Sequence, residues 1–321
     1  MAERANRGHW TEADIPEQTG RTVLVTGANS GLGLRTAEVL AGKGARVLLA
    51  CRSPERGERA LDLVRRAATG ASPELVPLDL ADLASVRAAA ASVRELTGDA
   101  LDVLVNNAGL MATARGVTAD GFETQFGTNH LGHAALTWLL LPALRGGRDA
   151  RVVTLSSVAA AGGGLSVTDP NFEHRRYNPG IAYAQSKLAN QMFAIELDRR
   201  LRAAGESVIS VAAHPGYVGT GLSSGMARSY RNPLLSRSIL AVNRAGELLF
   251  AMRPAQGTLP QLYAATAPGV EGGDYIGPHG IGGLRGYPAK GRPFAAARDA
   301  TTGRALWELT ARLTGVTPDP A

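Results

Sequence analysis

Tyr183-Ala184-Gln185-Ser186-Lys187 sets a phenol and an ammonium four residues apart, inside a helical pattern running from about Ile181 to Leu201. Residues at that spacing share one helix face. A phenol with its ordinary pKa of about 10 exchanges protons poorly near pH 7. Lowering it by three units takes roughly 4 kcal/mol, and a unit charge at about 4 Å supplies that order at an effective dielectric near 20. The pair could therefore give a proton to an oxygen or take one from it. Alone it means little, because helix tyrosines are usually interface residues and helix lysines are usually solvated. The same helix also carries Leu188, Met192, Phe193, Ile195, Leu197 and Leu201, an apolar set that must be buried.

The elements that could position the pair follow from hydrophobic pattern. Short Val/Leu-rich runs at 22–26, 46–50, 74–78, 101–106, 151–156 and 208–213 are apolar on both sides of the pleat, as in strands covered on both faces of a parallel sheet. Helical patterns lie near 32–43, 55–68, 82–97, 120–145 and 181–204, with a last one at about 298–313 beyond the Gly/Pro-rich stretch "GPHGIGGLRGYPAKG". The alternation predicts an α/β fold, a Rossmann-type doubly wound parallel sheet. With no clean linker, residues 1–321 read as one domain, 1–19 being an N-terminal extension and about 217–256 a lid over the cleft. That lid segment mixes Leu222, Met226, Leu234, Leu235, Ile239 and Leu240 with Arg228, Arg231 and Arg237, which suits a lipophilic or aromatic small molecule; Tyr217 and Met111 are candidate walls.

The first strand runs into a helix through "TGANSGLG". Its glycines (Gly27, Gly31, Gly33) permit a tight turn and close approach of a pyrophosphate to free N–H groups at the helix N-terminus. The spacing is GxxxGxG and departs from the usual GxGxxG. An acid at the end of the second strand would bond the ribose 2′-hydroxyl of NAD(H). Here "LLACRS" places Arg52, a planar fork of donors suited to a 2′-phosphate, so NADPH/NADP+ is expected over NADH/NAD+. Glu55 and Glu58 nearby are the residues that keep the second option open.

In order along the chain come "TGANSGLG", Asp79 in "LDL", "NNAG" at 106–109, Asn129 in "FGTNHLGH", Ser157 in "LSS", "YAQSK" and "HPG" at 214–216. With these motifs, from about Gly20 to "LWELTARLTG", the sequence resembles the short-chain dehydrogenase/reductase family, and within it the retinol-dehydrogenase and protochlorophyllide-reductase branch. The resemblance implies a catalytic tetrad of Asn129, Ser157, Tyr183 and Lys187. It implies cofactor contacts from Gly27, Asn29, Ser30, Gly31, Leu32, Gly33, Arg52, Asp79, Leu80, Asn107, Ala108, Gly109, Tyr183, Lys187, Pro215, Gly216, Val218 and Thr220. Asn129 would fix a water in a proton relay from Lys187. The spacing between Ser157 and Tyr183 is about twice that of simpler members. The added "GGGLSVTDPNFEHRRYNPG" fits the retinol-dehydrogenase branch and leaves Ser156 as the alternative to Ser157. Relatives dimerise or tetramerise through the helix that carries the Tyr, so a homo-oligomer is expected.

The bulk numbers exclude other classes. The chain has 321 residues, 45% of them hydrophobic, ample for a large core. The net charge of +6 comes from scattered arginines, which does not make a nucleic-acid stripe. One cysteine, Cys51, and six dispersed histidines give no metal cluster and no internal disulfide. His130 and His133 lie three apart on a predicted helix, with no third ligand. The polar start "MAERANRGHW" is no signal peptide, and "AALTWLLLPAL" is too short to span a bilayer. A cytoplasmic protein with no membrane and no nucleic-acid partner is expected, without the N-terminal membrane anchor that many animal retinol dehydrogenases carry. The predicted function is interconversion of a carbonyl and an alcohol. The alternatives are reduction of a carbon–carbon double bond, a retired NADPH-binding scaffold or sensor, and an isomerase of the nucleotide-sugar epimerase type, which shares the Tyr/Lys pair.

Overall fold

The computed structural model describes residues 9–218 and 252–320. Most of the expected lid, and Thr220 with it, lies outside the described residues. In chain order the elements are β1 (Thr22–Thr26), α1 (Gly31–Gly42), β2 (Arg46–Cys51), α2 (Pro54–Ala67), β3 (Glu74–Pro77), α3 (Leu83–Thr97), β4 (Val103–Asn106), α4 (Thr124–Phe126), α5 (Gly132–Arg145), β5 (Arg151–Leu155), α6 (Pro179–Ala203), β6 (Ile209–Ala213), α7 (Pro254–Thr266), β7 (Tyr275–Pro278), β8 (Pro288–Gly291) and α8 (Ala300–Thr314).

One eight-stranded sheet runs β3-β2-β1-β4-β5-β6-β7-β8. All neighbours are parallel except β7 and β8, which pair antiparallel. The two-sided apolar pattern of the strands is realised as two cores, since successive side chains point to opposite faces. Leu24, Leu48, Leu104 and Val152 pack with residues of α3, α5 and α6, including Val86, Leu136, Phe193 and Leu197. Val23, Val25, Val47, Val105, Val153 and Val211 pack on the other face with Leu40 of α1, Leu61 of α2 and Leu262 of α7. The strand order reverses between β1 and β4, which is where an open α/β sheet leaves its crevice.

Three differences from the expectations have local causes. The 120–145 helix begins only at Thr124, because Val117 bridges Glu123 and Gly121 takes a positive φ. The Glu123 carboxylate then caps α4, accepting from the N–H groups of Gln125 (2.9 Å) and Phe126 (2.7 Å). A π-helical turn, Gly127–Leu131, joins α4 to α5. The Gly/Pro-rich stretch near 277–291 contributes β7 and β8, an edge hairpin held by partners distant in sequence. α7 was also unforeseen; Pro254 starts it and it packs against α1 and β5–β7. The N-terminal extension folds onto the domain where described: Ile15 is buried, Glu12 pairs with Arg35 at 2.6 Å, and Trp10 meets Tyr263 edge-on.

Candidate active site

A cleft of about 490 Å³ opens at the carboxyl ends of β1, β2, β4 and β5, against α6. Its floor is the glycine turn. Ser30 caps α1 without a side-chain hydrogen bond, so the first-turn N–H groups face outward as an anion site. Gly33 has no room for a side chain: a Cβ there would lie 2.5 Å from both the Asn107 Nδ2 and the Gly27 carbonyl oxygen. Asn107 braces this turn by donating from Nδ2 to the Thr26 carbonyl (2.8 Å), while the Asn107 and Ala108 N–H groups donate to the Thr26 hydroxyl (2.9 and 3.0 Å).

Gly27, Asn29, Ser30, Gly31, Leu32, Gly33, Arg52, Asp79, Leu80, Asn107, Ala108, Gly109, Tyr183, Lys187 and Pro215 all line this one cleft. Gly216 and Val218 follow Pro215 but are not among its walls. Gly216 turns the chain with a positive φ, and Val218 bridges Met252. Sequence reading missed Arg56, which lines the cleft with Arg52 from the first turn of α2. The four-residue spacing across the start of a Pro-initiated helix was its signal. Glu55 faces elsewhere, paired with Arg59 at 3.0 Å.

The opposite wall is built from side chains. Asn178 caps α6 and Pro179 begins it. The helix is buried on most of its circumference, and Lys187 is only 5% exposed. The Lys187 ammonium donates to the Leu155 carbonyl at 3.0 Å, which also accepts from Asn190 Nδ2 at 3.0 Å. Burial pushes Lys187 down to about 8. Burial raises the Tyr183 phenol above its ordinary value, and a hydrogen bond with Ser157 pulls it partly back. Burial therefore leaves the phenol raised where Lys187 was expected to lower it, and the ammonium is directed to the end of β5.

The two serines differ sharply. Ser156 is buried and its hydroxyl donates to the Lys187 carbonyl at 2.8 Å, whereas Ser157 meets Tyr183 and accepts from the Ala159 N–H at 3.2 Å. Asn129 sits on the π-helical turn, fully buried. Its Oδ1 accepts from the Leu110 N–H (2.8 Å), and its Nδ2 donates to the Leu110 carbonyl and the Ser186 hydroxyl (both 2.9 Å). A Cβ on Gly109 would stand 3.2 Å from Asn129 Oδ1 and 3.3 Å from Lys187 Nζ, so glycine lets the cleft segment touch both.

The added segment before α6 forms an ordered wall. Asp169 accepts from the N–H groups of Glu173 and His174, Arg175 stacks over Phe172 at 3.9 Å, and Gln185 of α6 holds Arg175 at 2.7 Å. The Tyr177 hydroxyl donates to the Thr113 carbonyl at 3.0 Å, tying this segment to the loop after β4. Among the described residues no group of His, Cys, Asp or Glu could hold a metal, and no helix is long and apolar enough to cross a membrane.

Comparison with known proteins places this arrangement. A family model described as short chain dehydrogenase matches residues 21–230. Polyprenol dehydrogenase from Mus musculus is 41% identical over 318 residues, covering 97% of this chain and 89% of the relative. Retinol dehydrogenase 13 from Homo sapiens is 38% identical over 308 residues, covering 95% and 87%. Among solved structures, an uncharacterized protein from Mycobacterium paratuberculosis is 41% identical with a TM-score of 0.78, covering 96% of this chain and 98% of that one. A Pseudomonas aeruginosa RhlG/NADP active-site complex is 26% identical with a TM-score of 0.60, covering 80% and 94%.

Proposed function

The chain belongs to the short-chain dehydrogenase family, an oxidoreductase of its retinol dehydrogenase-like branch, and from that premise we propose that it uses NADP(H) to interconvert a carbonyl and an alcohol on a lipophilic or aromatic small molecule. The observation that carries the reading is the convergence of Tyr183, Lys187 and the glycine turn on one cleft, with Ser157 near enough to the Tyr183 phenol to lower its pKa.

The residues fit a dinucleotide. Uncapped amides at the start of α1, on a turn that Gly33 lets close against Gly27 and Asn107, accept a pyrophosphate, and Arg52 and Arg56 give two cations for a 2′-phosphate. When bound, the nicotinamide supplies or accepts the hydride. Ser157 holds the substrate oxygen within reach of the Tyr183 hydroxyl, a fixed donor where negative charge develops. Burial keeps the phenol protonated, which is the form that donates to a carbonyl oxygen during reduction. Lys187 carries the positive charge that favours the resulting phenolate, and at pH 7 it stays below the point where burial strips its proton. The Leu155 carbonyl fixes where that charge sits.

The polyprenol and retinol dehydrogenases among its relatives favour a long apolar alcohol or aldehyde as substrate. A cytoplasmic location and a single domain complete the proposal, to be checked by cell fractionation and by limited proteolysis. Turnover of a panel of aldehydes, ketones, quinones and alcohols, with both cofactors, tests the central claim. NADPH should be preferred at least tenfold in kcat/KM, and Arg52→Ala with Arg56→Ala should erase the preference. A tenfold preference for NADH would overturn the cofactor assignment, and cofactor binding without turnover would leave a scaffold.

A further inference from the structure

His133 takes no part in the roles assigned above, yet it is fully enclosed between the two walls of the cleft. Its Nε2 lies 2.9 Å from the Thr26 hydroxyl, and its Nδ1 lies 2.9 Å from the Asn129 carbonyl oxygen. The hydrogen positions follow from the partners. A carbonyl only accepts, so Nδ1 carries the proton. The Thr26 hydroxyl already accepts from two backbone N–H groups, those of Asn107 and Ala108. Its single proton has two takers, His133 Nε2 at 2.9 Å and the Val105 carbonyl at 3.3 Å, and the nearer one is a free lone pair. Every bond then runs one way: amides of 107 and 108 to Thr26, Thr26 to Nε2, Nδ1 to Asn129.

The circuit closes on the same stretch of chain. Asn129 returns from its side chain to both backbone groups of Leu110. The segment 107–110 is thus held at its start through Thr26 and at its end through Asn129, with the imidazole between. Gly109, in the middle, is the residue whose Cβ position stands 3.3 Å from Lys187 Nζ. The ring also reaches the π-helical turn, donating to its Asn129 carbonyl. Burial, with the Lys187 charge nearby, holds the ring down to about 4, so its bonds do not rearrange at working pH.

Resting on the oxidoreductase reading, we propose that His133 is a positioning residue: its Nδ1–H fixes Asn129, which holds the Leu110 end of the 107–110 segment against Lys187 and Tyr183, while Thr26, able to turn its proton to Val105, keeps the other end without it. It touches neither substrate nor cofactor.

Two substitutions separate its two bonds. His133→Asn places an amide N–H near the Nδ1 position and keeps the bond to Asn129. His133→Gln reaches the Nε2 position and keeps only the Thr26 side. With NADPH and the best substrate of the panel, His133→Gln should lose tenfold or more in kcat. KM for NADPH should change less than threefold, and His133→Asn should recover to within threefold of the unsubstituted kcat. ¹⁵N spectra of the labelled unsubstituted protein should show a protonated Nδ1 and a bare Nε2, whether or not a substrate is known. Equal kcat in the two variants, a loss confined to the cofactor KM, or a protonated Nε2 would overturn the proposal. An unsubstituted protein that binds NADPH but turns over nothing would sink the oxidoreductase reading itself, and is distinguishable from those outcomes.

Discussion

On the β1–β4 side of the cleft the contacts are main chain: uncapped amides of α1, the Thr26 and Gly27 carbonyls, and a turn in which Gly33 has no space for a methyl group. On the β5–α6 side they are side chains: Ser156, Tyr183 and Lys187 line the cleft, Ser157 lies at its edge by Tyr183, and Asn129 is buried behind them. The first side can bind an anion with groups every residue possesses, so what matters there is which residues are absent, chiefly side chains at glycines. The second performs the proton transfer, so it must bury a phenol and an ammonium and bear the desolvation, visible as a phenol above and an ammonium below its ordinary value. The two sides should therefore fail differently when altered.

The largest effect is expected on the side-chain wall. Tyr183→Phe removes the proton carrier and should lower kcat by about 10²–10⁴-fold, with cofactor affinity by fluorescence titration nearly unchanged; a kcat within threefold would break the distinction. Next come the two serines. Ser157→Ala should cost about 10²–10³ in kcat as a lost oxyanion donor. Ser156→Ala, which loses one bond to the Lys187 carbonyl, should cost about 1 kcal/mol of stability and little rate. Reversed results would exchange their roles.

On the main-chain side, Gly33→Ala should act through fit, costing about 1–3 kcal/mol as overpacking. It should appear as weaker NADPH binding and a lower melting temperature, with kcat at saturation kept. The smallest effect is a pH slope in the core behind the side-chain wall. Burial holds His130 down to about 3. The unfolded chain therefore binds a proton below about pH 6.5 that the folded chain refuses, and stability falls as pH drops from about 6.5 toward 3. This one histidine contributes about 1.4 kcal/mol per pH unit within that window. His130→Gln should lower the slope in urea titrations at pH 5 and 6 by about that amount, with His133 and His214, which burial also holds down to about 4, keeping the rest.

Much of this was legible before any coordinates. Strands buried on both faces announce themselves as continuous Val/Leu runs, and six were placed to within a residue or two. The chemistry-bearing motifs were legible because they are local: a glycine turn, a Tyr/Lys pair one helical turn apart. The hairpin of β7 and β8 was not, since its pairing depends on β6 rather than on its own Gly/Pro-rich sequence. Arg56 was missed because its place in the cleft depends on how α2 leaves β2.

By itself the sequence determined which residues could do chemistry and the order of elements carrying them, because backbone periodicity and turn stereochemistry are properties of neighbouring residues. Only the tertiary structure decided which of two adjacent serines meets the phenol, and that an imidazole at position 133 joins Thr26 to Asn129. It also decided that burial moves Tyr183 and Lys187 in opposite directions. Those outcomes depend on desolvation and on contacts made across the fold, such as Thr26 with His133, 107 residues apart, and neither is encoded within any short window of the chain.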